Sequence, residues 1–379
     1  MNLSSGFCVV VSALAVTCAV QAAPKVPEFL PAVELTGHEG LITEISSDGK
    51  VVAGTTVENG MPMPFRHSAK DGYRVVALAT DLPETATSAS LTGLSDDGST
   101  AYGHFQYSEA GVTRHEGFVW TKKGGFQRVG LVEDGNYTVM RAITKNGKVL
   151  GGQYIVDGEP AAFVWTPAEG IRPCAEVYPG FPAEVSSPLW ISNSQKVVWA
   201  TGFGNGATTM RWTRDQGMMK YYDLPGGDDS LEAYAVTGDG RLAVGAGRTL
   251  KGYEAVLLLE NGTADPLFPD ANFQSVAQGV TPGGRLVYGV IDGNRSTTNF
   301  QAQNAFFLDR KTGTEVRLSD ILERYAPEVA EEWSGVSLSR VSDNGDVIVG
   351  SGVYQGQFSS WVMRNVAKVL MPKPSKAAR

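Results

Sequence analysis

His104 and His115 stand eleven residues apart and flank what reads as one inter-strand loop. Two imidazoles brought face to face there would be half of a zinc site, but no cysteine or carboxylate has the spacing to complete it. No metal and no cofactor are therefore expected. The chain has four histidines in all, His38, His67, His104 and His115, so acid–base chemistry would fall to carboxylates, and these show no spacing that pairs them. A Ser-His-Asp set, an HExxH helix and a glycine-rich phosphate loop are all absent from the sequence. The expectation is no catalytic residue. Binding candidates are the aromatics of one divergent stretch, Trp190, Trp199, Tyr221 and Tyr222, which break the pattern around them.

The formal net charge of −8 offers no basic face to nucleic acid or anionic lipid. Residues 7–20, FCVVVSALAVTCAV, form an apolar run too short to span a bilayer, and small residues follow at Ala22 and Ala23. Residues 1–23 therefore read as a signal peptide, and the chain as an exported monomer of the periplasm or extracellular space. Cys8 and Cys18 would leave with that segment, and Cys174 alone could form no internal disulfide. No later run is apolar over 18 residues, so no membrane span is expected. Residues 372–379 read as a disordered basic tail.

The elements that must position any site are repeats. ISSDGKVVAG at 45 recurs as LSDDGSTAYG, ITKNGKVLGG, ISNSQKVVWA, VTGDGRLAVG, VTPGGRLVYG and VSDNGDVIVG. Aligned on Gly49, the copies are spaced by 49, 49, 48, 45, 44 and 61 residues. The pairs Asp48-Gly49, Asp97-Gly98, Asn146-Gly147, Asp239-Gly240 and Asn344-Gly345 read as structural turns, and specifically as two-residue type I′ hairpins, which require positive φ at both positions. A third strand follows each pair, as in GFVWTKK at 117 and AFVWTPA at 162, and a glycine turn then leads to a fourth. Strands such as FVW carry apolar residues on both faces, which requires cover on both. Trp120, Trp165 and Trp212 accordingly read as packing between sheets.

Repeats of this length with four strands each describe a β-propeller; a parallel β-helix has shorter coils. The expectation is all-β: one domain over 24–371, a seven-bladed propeller of four-stranded antiparallel blades. The repeats fall near 37–84, 85–135, 136–180, 181–227, 228–270, 271–335 and 336–371.

The stretches ISSDGKVVAG and VSDNGDVIVG, with HEGFVWT at 115 and AAFVWT at 161, resemble the HAF-repeat proteins, a bacterial extracellular family. LSDILERYAPEVAEEWSGVSLSRVSDNGDVIVGSG at 318–352 is similar to that family's helical insertion before its last hairpin. Within it, Ser319 is placed to cap a helix beginning at Asp320. The resemblance implies an exported propeller-like repeat and carries no reaction. Two functions follow as expectations: a non-catalytic module binding a protein, glycan or surface polymer, or a carbohydrate-active or ester-hydrolysing enzyme with carboxylates at the channel mouth.

Overall fold

Each repeat bends on a buried hydroxyl. In the first, the inner strand Leu41–Ile45 ends at Ser46, which is 1% exposed, and the next strand is Val51–Glu58. A hydroxyl this deep must be bonded. Ser46 Oγ accepts the amide of Val51 at 2.9 Å and donates to Asp48 Oδ1, which also accepts the amide of Lys50. Ser95 with Asp97, Thr144 with Asn146, Thr237 with Asp239 and Ser342 with Asn344 repeat this arrangement.

These turns are not the type I′ hairpins expected from the sequence. The amide of Gly49 bonds the carbonyl of Ser46 at 2.9 Å, and of the Asp48-Gly49 pair only the glycine has positive φ, at 73°. The loop is thus a turn closed by one left-handed residue, and the aspartate serves as a hydrogen-bond acceptor. Paired positive φ lies instead at the opposite end of the blades, between second and third strands. Asn59-Gly60, Ala110-Gly111, Asp157-Gly158 and Gln355-Gly356 are the two-residue turns there.

The computed structural model describes residues 26–372 apart from 78, 184, 204–206, 228–230, 270–271 and 293–304. The expected signal peptide, and all but Pro372 of the expected tail, lie outside the described residues. Among the described residues no helix is long and apolar enough to cross a membrane.

The strands form an all-β propeller, but the expected seven separate four-stranded blades are corrected. Five sheets are four-stranded, and the strands of the second and third repeats share a single eight-stranded sheet. The cause is an uncovered edge. The third strand Val112–Thr121 is ten residues long, whereas its outer neighbour Gly125–Arg128 covers only Phe118 to Thr121. The uncovered half pairs with the next inner strand, Tyr137–Ile143, where His115 lies parallel to Tyr137 and its amide bonds Asn136 O at 2.9 Å.

Chain ends meet in one blade. Glu28–Pro31 adds as the outer strand to Gln357–Arg364, beside Val347–Tyr354 and Trp333–Val341. Phe29 stacks on Trp361 at 5.2 Å and meets Trp333 edge-on. Across the seam to the first repeat, Ser360 Oγ accepts the amide of Ile42 at 2.8 Å.

The core lies between sheets, with Phe118, Phe163, Phe306 and Trp212 fully buried and Trp165 at 3%. Helix Leu318–Tyr325 and the turn Val329–Glu332 precede Trp333–Val341 and cover the core beside Phe307 and Trp361. The helix begins two residues before the expected start, and Arg317, not Ser319, stands at its cap without a side-chain bond.

A Cβ at Gly49 would come within 2.6 Å of Val347 Cγ2, so this turn needs glycine for its φ and for its approach to the neighbouring blade. In the fourth repeat Gln195 takes the same left-handed position at φ 53°. A side chain there costs about 1–2 kcal/mol, offset in part by about 0.4–1 kcal/mol from the freer unfolded state of glycine. Gln195→Gly is thus expected to raise unfolding free energy by up to about 1 kcal/mol, and Gly49→Ala to lower it by about 1–3 kcal/mol. Equilibrium denaturant unfolding of the two variants checks both signs.

Candidate functional site

Every inner strand breaks its register at the same place, six residues before the turn position marked by Gly49. The shifts fall at Thr43, Thr92, Arg141, Leu189, Tyr234, Gln278 and Ser339. A bulge inserts one residue and re-aims its side chain. In most strands the residue just before is core: Ile42, Leu91, Met140, Ala233 and Leu338 are at most 8% exposed. The bulged residues are partly or fully exposed and ring the central channel.

A cavity of about 670 Å³ occupies one side of this channel, with Glu44 and Arg340 on one wall and Glu232, Tyr234, Tyr253 and Gln278 on the other. A lobe of about 270 Å³ continues past Glu232 and Tyr234 to Arg141, Pro188 and Leu189. Arg340 donates to Glu44 Oε1 at 3.1 Å, joining the last inner strand to the first. Burial pushes the Glu44 carboxyl up, against the opposing pull of Arg340. Glu44 in turn raises the Arg340 guanidinium. Tyr234, 43% exposed, donates its hydroxyl to Glu232 at 2.6 Å, and burial raises that phenol.

Two further tyrosines on second strands are buried beneath the inner strands, Tyr102 6% and Tyr288 5% exposed. The rings of Tyr102 and Tyr288 occupy the space that a Cβ at Gly93 or Gly279 would fill, so glycine beside the bulge makes room for a buried phenol. Burial raises both phenols. At the end carrying the Asp-Gly turns the channel narrows. The amide of Ser47 bonds Asp96 O at 2.8 Å, that of Asp343 bonds Ser47 O at 3.0 Å, and that of Gly238 bonds Pro282 O at 2.9 Å. Lys145 pairs with Asp96 at 3.1 Å, and its Nζ lies 2.8 Å from where Gly238 would carry a Cβ.

Three of the four aromatic candidates meet in the core. Trp199 and Tyr221 are core, 0% and 1% exposed and stacked at 5.1 Å, with Trp199 Nε1 donating to Gly240 O. Trp190 is partly buried in the same cluster, and Tyr222, 68% exposed, lies beyond the outer strand Gly217–Lys220 with Lys220 over its ring. Packing between blades thus holds Trp190, Trp199 and Tyr221, and Tyr222 stands apart from them. Among the described residues no three His, Cys, Asp or Glu side chains gather where a metal ion could be held. Asp48, Asp97, Asn146, Asp239 and Asn344 all close turns through their side-chain oxygens. The channel residues Arg141, Tyr234 and Gln278 were missed because the bulge fixes their place while their types differ, and the constant offset from the turn was the available signal; Glu232 and Arg340 lie beside bulges on the same strands, where no such offset marks them.

His104 is half-buried beside the channel wall with Nδ1 unpartnered. Burial, helped by the charges of His115 and Arg141, holds its imidazole down at about 4. Unfolded, it titrates near about 6.5. The unfolded chain therefore takes up the proton first, and the contribution of neutral His104 to stability is complete above about pH 6.5 and lost on the way to pH 4. His104→Gln is expected to flatten the fall in stability over that window. Denaturant midpoints at pH 7 and 4.5 measure this, and a fall as steep as in the wild type would contradict it.

No family model matches the chain, and no curated protein does. Among solved structures it is similar to an oligogalacturonate lyase from Vibrio parahaemolyticus, with a TM-score of 0.55, 11% identity and coverage of 86% of this chain and 90% of that one. An oligogalacturonate lyase in complex with manganese gives 0.56 at 11% identity, covering 86% and 89%. A prolyl endopeptidase gives 0.51 at 11%, covering 87% of this chain and 47% of that one. At such identities the likeness concerns the fold, and it agrees with the strand pairing: the chain is a β-propeller.

Proposed function

We infer that the chain is an exported propeller of the HAF-repeat kind that acts without catalysis, binding a polar ligand in its central channel. One observation carries this reading: a cavity of about 670 Å³, within the range of small-ligand sites, is lined by the charged groups of Glu44, Glu232 and Arg340 together with the bulged Tyr234 and Gln278. The tyrosines supply flat apolar area with a polar edge, the combination used to hold sugar or peptide backbones. The apolar run at residues 7–20 supports export.

A second reading has an observation of its own. Glu44 and Glu232 line the same cavity, as an acid–base pair would, and Glu44 is raised by burial. Binding is favoured because each carboxylate is already engaged, Glu44 by Arg340 and Glu232 by Tyr234.

Calorimetric screening of oligosaccharides and short peptides separates the two, beside a turnover panel of glycosides and esters. The expected result is a ligand that binds unchanged and loses about tenfold or more in affinity, roughly 1.4 kcal/mol, in Tyr234→Ala and Arg340→Gln. Turnover abolished by Glu44→Gln would establish the enzyme instead.

A further inference from the structure

We propose that the smaller lobe of the channel binds a compact zwitterion of the α-amino acid class, its carboxylate on Arg141 and its ammonium on Glu232. This rests on the channel-binding reading and narrows it to a ligand class.

The channel's other side-chain cations are engaged, Arg340 with Glu44 and Lys145 with Asp96. Arg141 differs. Its bulge sets it on the lobe wall, and among the described residues its guanidinium has no hydrogen bond or ion pair. Glu232 lines the same lobe, and among the described residues it has no ion pair and one side-chain hydrogen bond, from the Tyr234 hydroxyl at 2.6 Å. A guanidinium and a carboxylate, neither of them in an ion pair among the described residues, thus line one space of about 270 Å³. Both are restrained. The Tyr234 hydroxyl orients Glu232, and the backbone carbonyl of Arg141 receives the Tyr102 hydroxyl at 3.4 Å.

Charge selects the ligand. An anion drawn to Arg141 would face Glu232 in the same lobe, and a cation drawn to Glu232 would face Arg141, so a singly charged guest meets repulsion either way. A molecule carrying both charges satisfies both ends at once. The volume lies just under the usual range for drug-sized ligands, which suits one amino acid, and Pro188, Leu189 and Ala233 give its side chain an apolar wall.

The test is calorimetry on the full chain with L-leucine, N-acetyl-L-leucine, which lacks the ammonium, and L-leucinamide, which lacks the carboxylate. Leucine is expected to bind at least tenfold more tightly than either blocked form. Arg141→Gln is expected to bring leucine down to the affinity of leucinamide, and Glu232→Gln to bring it down to that of N-acetyl-leucine. Equal binding of all three by the wild type would overturn the proposal. So would failure of leucine, alanine and glycine to bind while an oligosaccharide or peptide binds in a Tyr234-dependent way, an outcome that leaves the channel reading standing. If no ligand of any kind depends on Tyr234 or Arg340, both readings fall.

Discussion

A buried hydroxyl at the end of each inner strand is the constraint on which the rest of the fold depends. Ser46, Ser95, Thr144, Thr237, Thr281 and Ser342 are at most 5% exposed, the equivalent Ser192 is partly buried, and each accepts the amide five residues on. Each such bond contributes only about 1 kcal/mol, but leaving a buried partner unmet costs about 1–3 kcal/mol, so the loop length is fixed. A loop of that length closed over one left-handed residue sets glycine against the neighbouring blade, as Gly49 on Val347 and Gly98 on Val51. Intra-blade hydrogen bonding and inter-blade packing are thereby one device.

Holding each turn in a fixed place also fixes where each inner strand emerges, and the bulge six residues earlier presents one side chain to the channel. The frame repeats and its contents vary. Threonine, arginine, leucine, tyrosine, glutamine and serine occupy equivalent bulges, so the same geometry carries a different chemistry at each step around the ring. Binding groups on a rigid repeated scaffold lose little freedom when a ligand arrives. Charge is uneven around the ring as well. The Glu44–Arg340 pair stitches the seam, whereas Arg141 and Glu232 line one lobe without an ion pair among the described residues.

Much of this architecture was legible because glycine and serine are read locally. The recurring Asp-Gly pairs marked the turns, and doubly apolar strands such as Phe118-Val119-Trp120 marked sheets covered on both faces, all three residues being buried. What failed was non-local. The Asp-Gly pairs suggested the wrong turn type because Asp48 bonds Ser46 and Lys50, a use its neighbours in sequence do not reveal. The union of the second and third repeats depends on a mismatch of strand lengths around His115. Trp199 and Tyr221 stood out as binding candidates because their unit had diverged, and each fills the core and finds a backbone carbonyl for its polar atom. Bulges follow from strand pairing across the sheet, and no residue type announces Arg141 or Tyr234 as channel residues.

Native-state hydrogen exchange tests the central claim most directly, because it assigns an opening free energy to each amide. If the buried hydroxyls organise the ring, the amides of Val51, Thr100, Val149, Leu242 and Val347 will exchange only with global unfolding, at the same free energy as the centres of the second strands. Exchange of those five amides through local opening, while the strand centres stay protected, would show that the turns are decoration on sheets held together by other means.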